Sequence, residues 1–333
     1  MKPRKALLSI IFALVLFVVP FVADAQQSGK VPTIGYLSQS SGLAGPPSRQ
    51  LEAFLQGLRE LGYVEGKNIA IEYRYTEGKI ERLPEVAAEL ARLKVDMIVV
   101  ETGMASLHAK KATQTIPIVM GNSGDPVSQG LVASLAHPGG NVTGLTSIAT
   151  AFSKKRLQLL TEVVPKLTRV GVLWSGIRNA VSDREWEETR AAAQPLKVQL
   201  YSLTARSEDF PGAFAEAARQ HVQAVLLFDY SPWGTRATIV RIAEMAVQNR
   251  LPMMSHWLLF AQQGGLIAYG VNIPELFRRA ATYVDRILKG SKPADLPVEQ
   301  PRKLVLIINL KTAKALGLMV PQSVLNQANR VIE

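Results

Sequence analysis

The chain has 333 residues, a formal net charge of +11 and no cysteine. The missing thiols exclude a disulfide framework, a thiolate metal site, a cysteine nucleophile and a lipid-modified cysteine. Lys and Arg are scattered along the sequence, not clustered with aromatics, so the positive balance reads as a solvated basic surface and no nucleic-acid partner is expected.

Lys2, Arg4 and Lys5 precede an apolar run over residues 6–22 that ends in Ala23-Asp24-Ala25. That order is the one of a secretory signal peptide, with cleavage expected after Ala25 and release into the periplasm without a lipid anchor. No later run reaches the length of a membrane span. The roughly 300 residues that follow exceed what one core usually supports, so two domains are expected.

Short apolar runs then alternate with helical periodicity. Strands are expected over residues 33–37, 68–74, 96–100 and 116–120. Between the first two, Leu51, Phe54, Leu55, Leu58 and Leu61 share one helix face. Between the next two, Val86, Leu90 and Leu93 do the same, with Pro84 in the first turn. Asp125-Pro126, past the fourth strand, reads as a helix start, with Asp125 as N-cap and Pro126 at the first position.

The second half repeats this grammar, with strands over 170–174, 198–203, 222–228 and 251–254. "ELARLKVDMIVV" parallels "EAARQHVQAVLLF", and "TIPIVM" parallels "RLPMMS". The fold class expected is α/β: two doubly wound parallel-sheet lobes joined by a multi-strand hinge. Gly-rich residues 137–147, residues 264–272 and the proline-punctuated stretch after a helix over 274–288 are the expected crossings. One lobe takes residues 26–146 plus about 271–300, the other 147–270 plus about 301–333.

In open α/β sheets, ligands meet the residues just beyond the carboxyl ends of the strands. Here those are Ser38, Gln39 and Ser40; Glu101, Thr102 and Gly103; and Gly121, Asn122 and Ser123. The second half contributes Trp174, Ser175 and Asn179; Asp229, Tyr230 and Ser231; and Ser255, His256 and Trp257. Thr102 and Ser106 open a helix, where unpaired amides and the dipole favour a ligand carboxylate; the competing role is helix capping. Asp229 is the first candidate for a ligand ammonium and Glu101 the alternative, with turn formation as the competing role of Asp229. Tyr36, Trp174, Tyr230, Trp233, Trp257 and Tyr269 gather near strand ends, some as cleft walls and some as core.

The segments "GYLSQS", "ELGYVEGKNIAIEYRY", "GDPVSQGLVASLAHPGGNVTG", "LPMMSHW", "GGLIAYG" and "ILKGSKPADLPVEQPRKLVLIINLKTAKALGL" occur in that order. Together they resemble the substrate-binding proteins of ABC importers, tryptophan or aromatic amino-acid type, with the type I periplasmic binding fold. The resemblance spans nearly the whole chain after the signal segment. It implies a bilobed receptor that captures a small solute and delivers it to an ABC permease in the inner membrane. The related amino-acid receptors place first-lobe hydroxyls on the ligand carboxylate.

No phosphate loop, nucleophile elbow or H-E-x-x-H occurs, and the four histidines are far apart. No cofactor, metal or catalytic residue is therefore expected. The expected function is solute binding for an ABC importer, the ligand being an amino acid or related small carboxylate, aromatic ones included, and the protein a monomer. A periplasmic ligand-presenting sensor shares every feature named, and an exported enzyme is the third alternative.

Overall fold

The computed structural model describes residues 30–39, 47–147, 152–178, 180–228, 233, 235–301 and 303–333. The expected signal segment and the candidate residues Ser40, Asn179, Asp229 and Tyr230 lie outside them. The first half runs β1 (Thr33–Ser38), α1 (Arg49–Glu60), β2 (Ala70–Tyr75), α2 (Leu83–Arg92), β3 (Met97–Val100), α3 (Gly103–Ala112), β4 (Ile118–Ser123) and β5 (Val142–Thr146). These strands form a five-stranded sheet in the order β2-β1-β3-β4-β5, every pair parallel.

The two-residue period of a strand sorts its side chains between the faces of that sheet. Ile34, Tyr36, Met97, Val99 and Val119 pack with Leu51, Phe54 and Leu58 of α1. Leu37, Ile98, Val100, Ile118 and Met120 pack on the opposite face with Leu83, Val86 and Leu90 of α2 and Ala105 and Ala109 of α3. Burying each large apolar side chain contributes about 1.5–3 kcal/mol, which makes this alternation the main determinant of the strand register.

The second half runs α4 (Ser153–Val163), β6 (Arg169–Trp174), α5 (Ala180–Ala193), β7 (Gln199–Thr204), α6 (Phe210–Arg219), β8 (Ala224–Leu227), α7 (Arg236–Gln248), β9 (Met253–Ser255), α8 (Leu258–Gln262) and β10 (Ile267–Val271). It closes with α9 (Ile273–Leu288), β11 (Leu304–Asn309), α10 (Leu310–Ala315), α11 (Gln322–Leu325) and β12 (Arg330–Ile332). The seven-stranded sheet has the order β12-β11-β10-β9-β8-β6-β7. Ala224 and Leu226 face α4, while Val225 and Leu227 face α6 and α7, so this sheet is also covered on both sides.

One pair departs from the parallel pattern: β10 and β11 are antiparallel, with Val271 opposite Leu304. The chain path explains it. The chain leaves this sheet at the Val271 end, forms α9 against the first sheet, and re-enters at the same end.

Three segments link the sheets: one after β5, one between β10 and α9, and one between α9 and β11. The last lies along β5, where the Thr143 hydroxyl donates to the Leu296 carbonyl at 2.6 Å and Leu145 bridges Glu299. On α9, Leu276, Phe277, Ala280 and Val284 complete the first core. α1 and α9 approach closely at Gly57, where a Cβ would stand 2.4 Å from the Arg278 carbonyl oxygen. Gly144, in β5, has φ +128°, and a Cβ there would sit 2.3 Å from the Met120 carbonyl oxygen.

The helix expected to start at Asp125 does not form. Residues 126–130 make consecutive turns, with Asp125 Oδ1 accepting from the Val127 and Ser128 amides at 3.2 and 3.1 Å. The capping chemistry is the one Asp125-Pro126 encodes, but Gly130 at φ +68° turns the chain before a helix is established.

Candidate functional site

The carboxyl ends of β1, β3 and β4 bring Ser38, Gln39, Glu101, Thr102, Gly103, Asn122 and Ser123 to one edge of the first sheet. Thr102 is the N-cap of α3, its Oγ1 accepting from the Ala105 amide at 3.2 Å. Ser106 lies a turn further in, fully buried, and its hydroxyl donates to the Thr102 carbonyl at 2.8 Å. Thr102, partly buried, and Gly103, buried, therefore form the start of the helix at this edge, and Ser106 stiffens it from below. Gly103 lies close under the Gln129 side chain: a Cβ there would stand 2.5 Å from Gln129 Oε1, so that amide would have to move.

Gln129 ties two of these tips together, since the Ser123 hydroxyl donates to the same Oε1 at 3.1 Å. Asn122 lies between Gly121 and Ser123 with its Oδ1 buried and without a hydrogen-bond partner among the described residues. A buried amide oxygen in that condition costs about 1–3 kcal/mol, which an N–H donor on a ligand recovers.

Glu101 is the charged centre of this edge. Its Oε1 accepts from the Tyr36 hydroxyl at 2.9 Å and the Ser48 hydroxyl at 3.4 Å, and its Oε2 from Ser38 Oγ at 2.5 Å. The Gln39 backbone amide lies near the carboxylate and favours its charged form. Burial lifts the carboxyl above its ordinary range, while the donors from Ser38, Tyr36, Gln39 and Ser48 pull the other way. Tyr36 is fully buried against Phe54 and Tyr73, and burial with the nearby Glu101 charge holds its phenol well above the usual value.

In the second lobe, Trp174 ends β6 and donates from Nε1 to Ser202 Oγ at 2.8 Å. Its ring packs edge-on against Trp186 of α5, which in turn meets Phe228 just past β8. Trp174, Trp186, Arg190, Leu200 and Ser202 line a groove of about 520 Å³ that runs between α5 and the edge strand β7. Ser255 ends β9, fully buried, and its Oγ accepts from the Trp257 amide at 3.0 Å. Trp257, half-buried, opens α8 beside His256 with ring centroids 4.7 Å apart. Of the other aromatics, Tyr36 and Trp233 are core residues, Trp233 packing on Phe210.

Two ion pairs organise the second lobe's side. Arg156 of α4 and Glu185 of α5, both almost wholly buried, pair at 3.3 Å. One residue earlier on α5, Arg184 reaches the first lobe, donating from Nη1 to Asp125 Oδ2 at 2.7 Å.

Sequence reading located the strand tips but missed Trp186, Gln129, Arg184 and the network around Glu101. Trp186 sits mid-helix, where an aromatic reads as core, and Gln129 lies in a turn with no periodicity to mark it. Among the described residues no three His, Asp or Glu stand together as a metal site, and no helix is long and apolar enough to cross a membrane.

Comparison with known proteins gives concordant matches. Residues 47–332 match the model of the family described as ABC transporter substrate binding protein. A tyrosine-binding protein of Clostridioides difficile strain R20291 is 25% identical over 269 residues, covering 80% of this chain and 76% of the relative. A conserved domain protein of Vibrio cholerae superposes with a TM-score of 0.79 at 26% identity, covering 91% of this chain and 100% of that one. An ABC domain from Streptococcus pneumonia, solved in complex with L-Trp, has the same fold, with a TM-score of 0.79 at 24% identity and coverage of 90% and 99%.

Proposed function

Because this chain belongs to the family of ABC transporter substrate-binding proteins, we propose that it captures an amino acid or related small carboxylate, aromatic ones included, between its lobes in the periplasm and delivers it to an inner-membrane permease. The family and these relatives are binding proteins, not enzymes. The tyrosine-binding relative and the L-Trp complex of the structural neighbour support an aromatic side chain on the ligand.

The observation that carries the reading is the polar edge at the ends of β3 and β4. The start of α3 at Thr102 and Gly103 offers amides and a positive dipole end to a carboxylate. The buried Oδ1 of Asn122 beside it suits a ligand N–H. Ser38, Gln39 and Ser123 lie at the same strand ends, and Trp174, Ser255 and Trp257, at or just past the ends of β6 and β9, are the candidate contributions from the second lobe. Closure of two lobes over a ligand is how such a receptor signals occupancy, since the ligand favours the closed arrangement by its differential affinity.

Native mass spectrometry of the purified protein, followed by a thermal-shift panel of the amino acids and their des-amino and neutral analogues, tests this. Stabilisation by amino acids, led by L-Trp or L-Tyr, supports it. Stabilisation by a sugar or neutral compound with no response to any amino acid overturns it.

A further inference from the structure

We propose that Glu101 is a positioning residue of this site: its carboxylate sets Ser38, the Gln39 amide and the entry to α1 in place without itself contacting the ligand. The proposal rests on the reading that the edge formed by Ser38, Thr102 and Asn122 is the ligand site.

A carboxylate offers about four lone-pair sites. In Glu101 three hydroxyls address them, Tyr36 and Ser48 at Oε1 and Ser38 at Oε2, with the amide of Gln39 nearby. A ligand ammonium would therefore have to compete with protein donors already seated on both oxygens of Glu101. The donors come from different parts of the chain. Tyr36 and Ser38 belong to β1, Gln39 follows it, and Ser48 is the N-cap of α1, its Oγ accepting from the Leu51 amide at 3.1 Å. One charged group thus fastens the chain where it leaves the sheet and where it enters the helix.

The same charge fixes hydroxyl directions. With their protons committed to Glu101, Tyr36 and Ser38 have only acceptor capacity toward anything else. Hydrogen bonds to an ionised acceptor are roughly twice as strong as neutral ones, so the arrangement is held before a ligand arrives. Gln at this position keeps the shape but replaces one acceptor oxygen with an NH₂ that faces hydroxyl donors.

Three measurements on the full chain test this. In ligand-free protein, amide hydrogen exchange of Gln39 and Leu51 in Glu101→Gln is expected to speed up by about tenfold or more, with amides of β6 and β8 unchanged. Exchange at Gln39 within about twofold of wild type overturns the proposal. In the wild-type protein, which removes any question of folding, the Gln39 amide nitrogen and proton shifts are expected to titrate with a single carboxyl above the ordinary glutamate range; the facing phenols of Tyr36 and Tyr75 stay neutral there. No titration at Gln39 overturns it. Finally, Glu101→Gln is expected to weaken L-Trp and its amine-free analogue 3-(indol-3-yl)propionate by the same factor, whereas loss confined to L-Trp makes Glu101 a direct ammonium contact and overturns the positioning role. Should wild type bind neither compound, the proposed ligand class fails, and the exchange and titration results still decide the role of Glu101.

Discussion

Arg184 Nη1 and Asp125 Oδ2 meet at 2.7 Å, joining α5 of the second lobe to the loop after β4 of the first. Asp125 is 5% exposed and already accepts two backbone amides in its own turn, so it is a rigid anchor; Arg184 is 50% exposed and also donates to Glu188. The pair is a fastening between the lobes in this structure.

Arg184→Ala is therefore expected to raise the ligand off-rate about two- to fivefold at low salt, the size of a half-exposed ion pair. The difference from wild type shrinks in high salt, where the pair is screened. Stopped-flow tryptophan fluorescence at two ionic strengths measures both; equal off-rates at low salt contradict the fastening role.

Gly144→Ala is expected to cost about 3 kcal/mol or more, because the added Cβ meets the Met120 backbone in addition to an unfavourable φ. Gly66 has φ +78° with open space around it, and Gly66→Ala is expected to cost only about 1 kcal/mol. Urea denaturation of both variants reads the contrast.

The fold was legible because burial on both faces of each sheet leaves its mark in order along the chain: "TIGYLS", "MIVV" and "IVM" are strands that neither helix periodicity nor turn residues interrupt. The antiparallel entry of β11 was not legible, since direction depends on where α9 parks, and that is settled by Phe277 and Ala280 packing on the distant α1. At the site, strand ends flagged Thr102 and Asn122 from position alone. They did not reveal that Ser106 is sealed under the helix or that Trp174 packs on Trp186, because side-chain direction depends on partners far away in sequence. Asn179, Asp229 and Tyr230 lie outside the described residues.

Glu185→Ala is expected to destabilise the protein by about 3–5 kcal/mol, since it removes the carboxylate facing buried Arg156. Replacing both partners, Arg156→Met with Glu185→Leu, is expected to recover most of that loss, because no buried charge remains. Denaturant midpoints of the single and double variants distinguish the two.

The raised pKa of Glu101 has a defined sign in stability. The folded state holds this proton more tightly than the unfolded chain, so its contribution is full below the ordinary value of 4.5 and is lost as pH rises through the folded pKa. The stability difference between wild type and Glu101→Gln should therefore change as pH rises from 4.5 through the folded pKa, moving against wild type, and level off above it. Parallel stability curves for the two proteins across that range contradict the assignment.

The most direct test of the whole account is isothermal titration calorimetry of protein stripped of bound ligand by unfolding and refolding, titrated with L-Trp and L-Tyr. Saturable one-to-one binding of either, weakened when Asn122→Ala removes the buried amide oxygen, is the predicted result. Absence of heat with every amino acid, alongside binding of an uncharged solute that Asn122→Ala leaves unchanged, contradicts it.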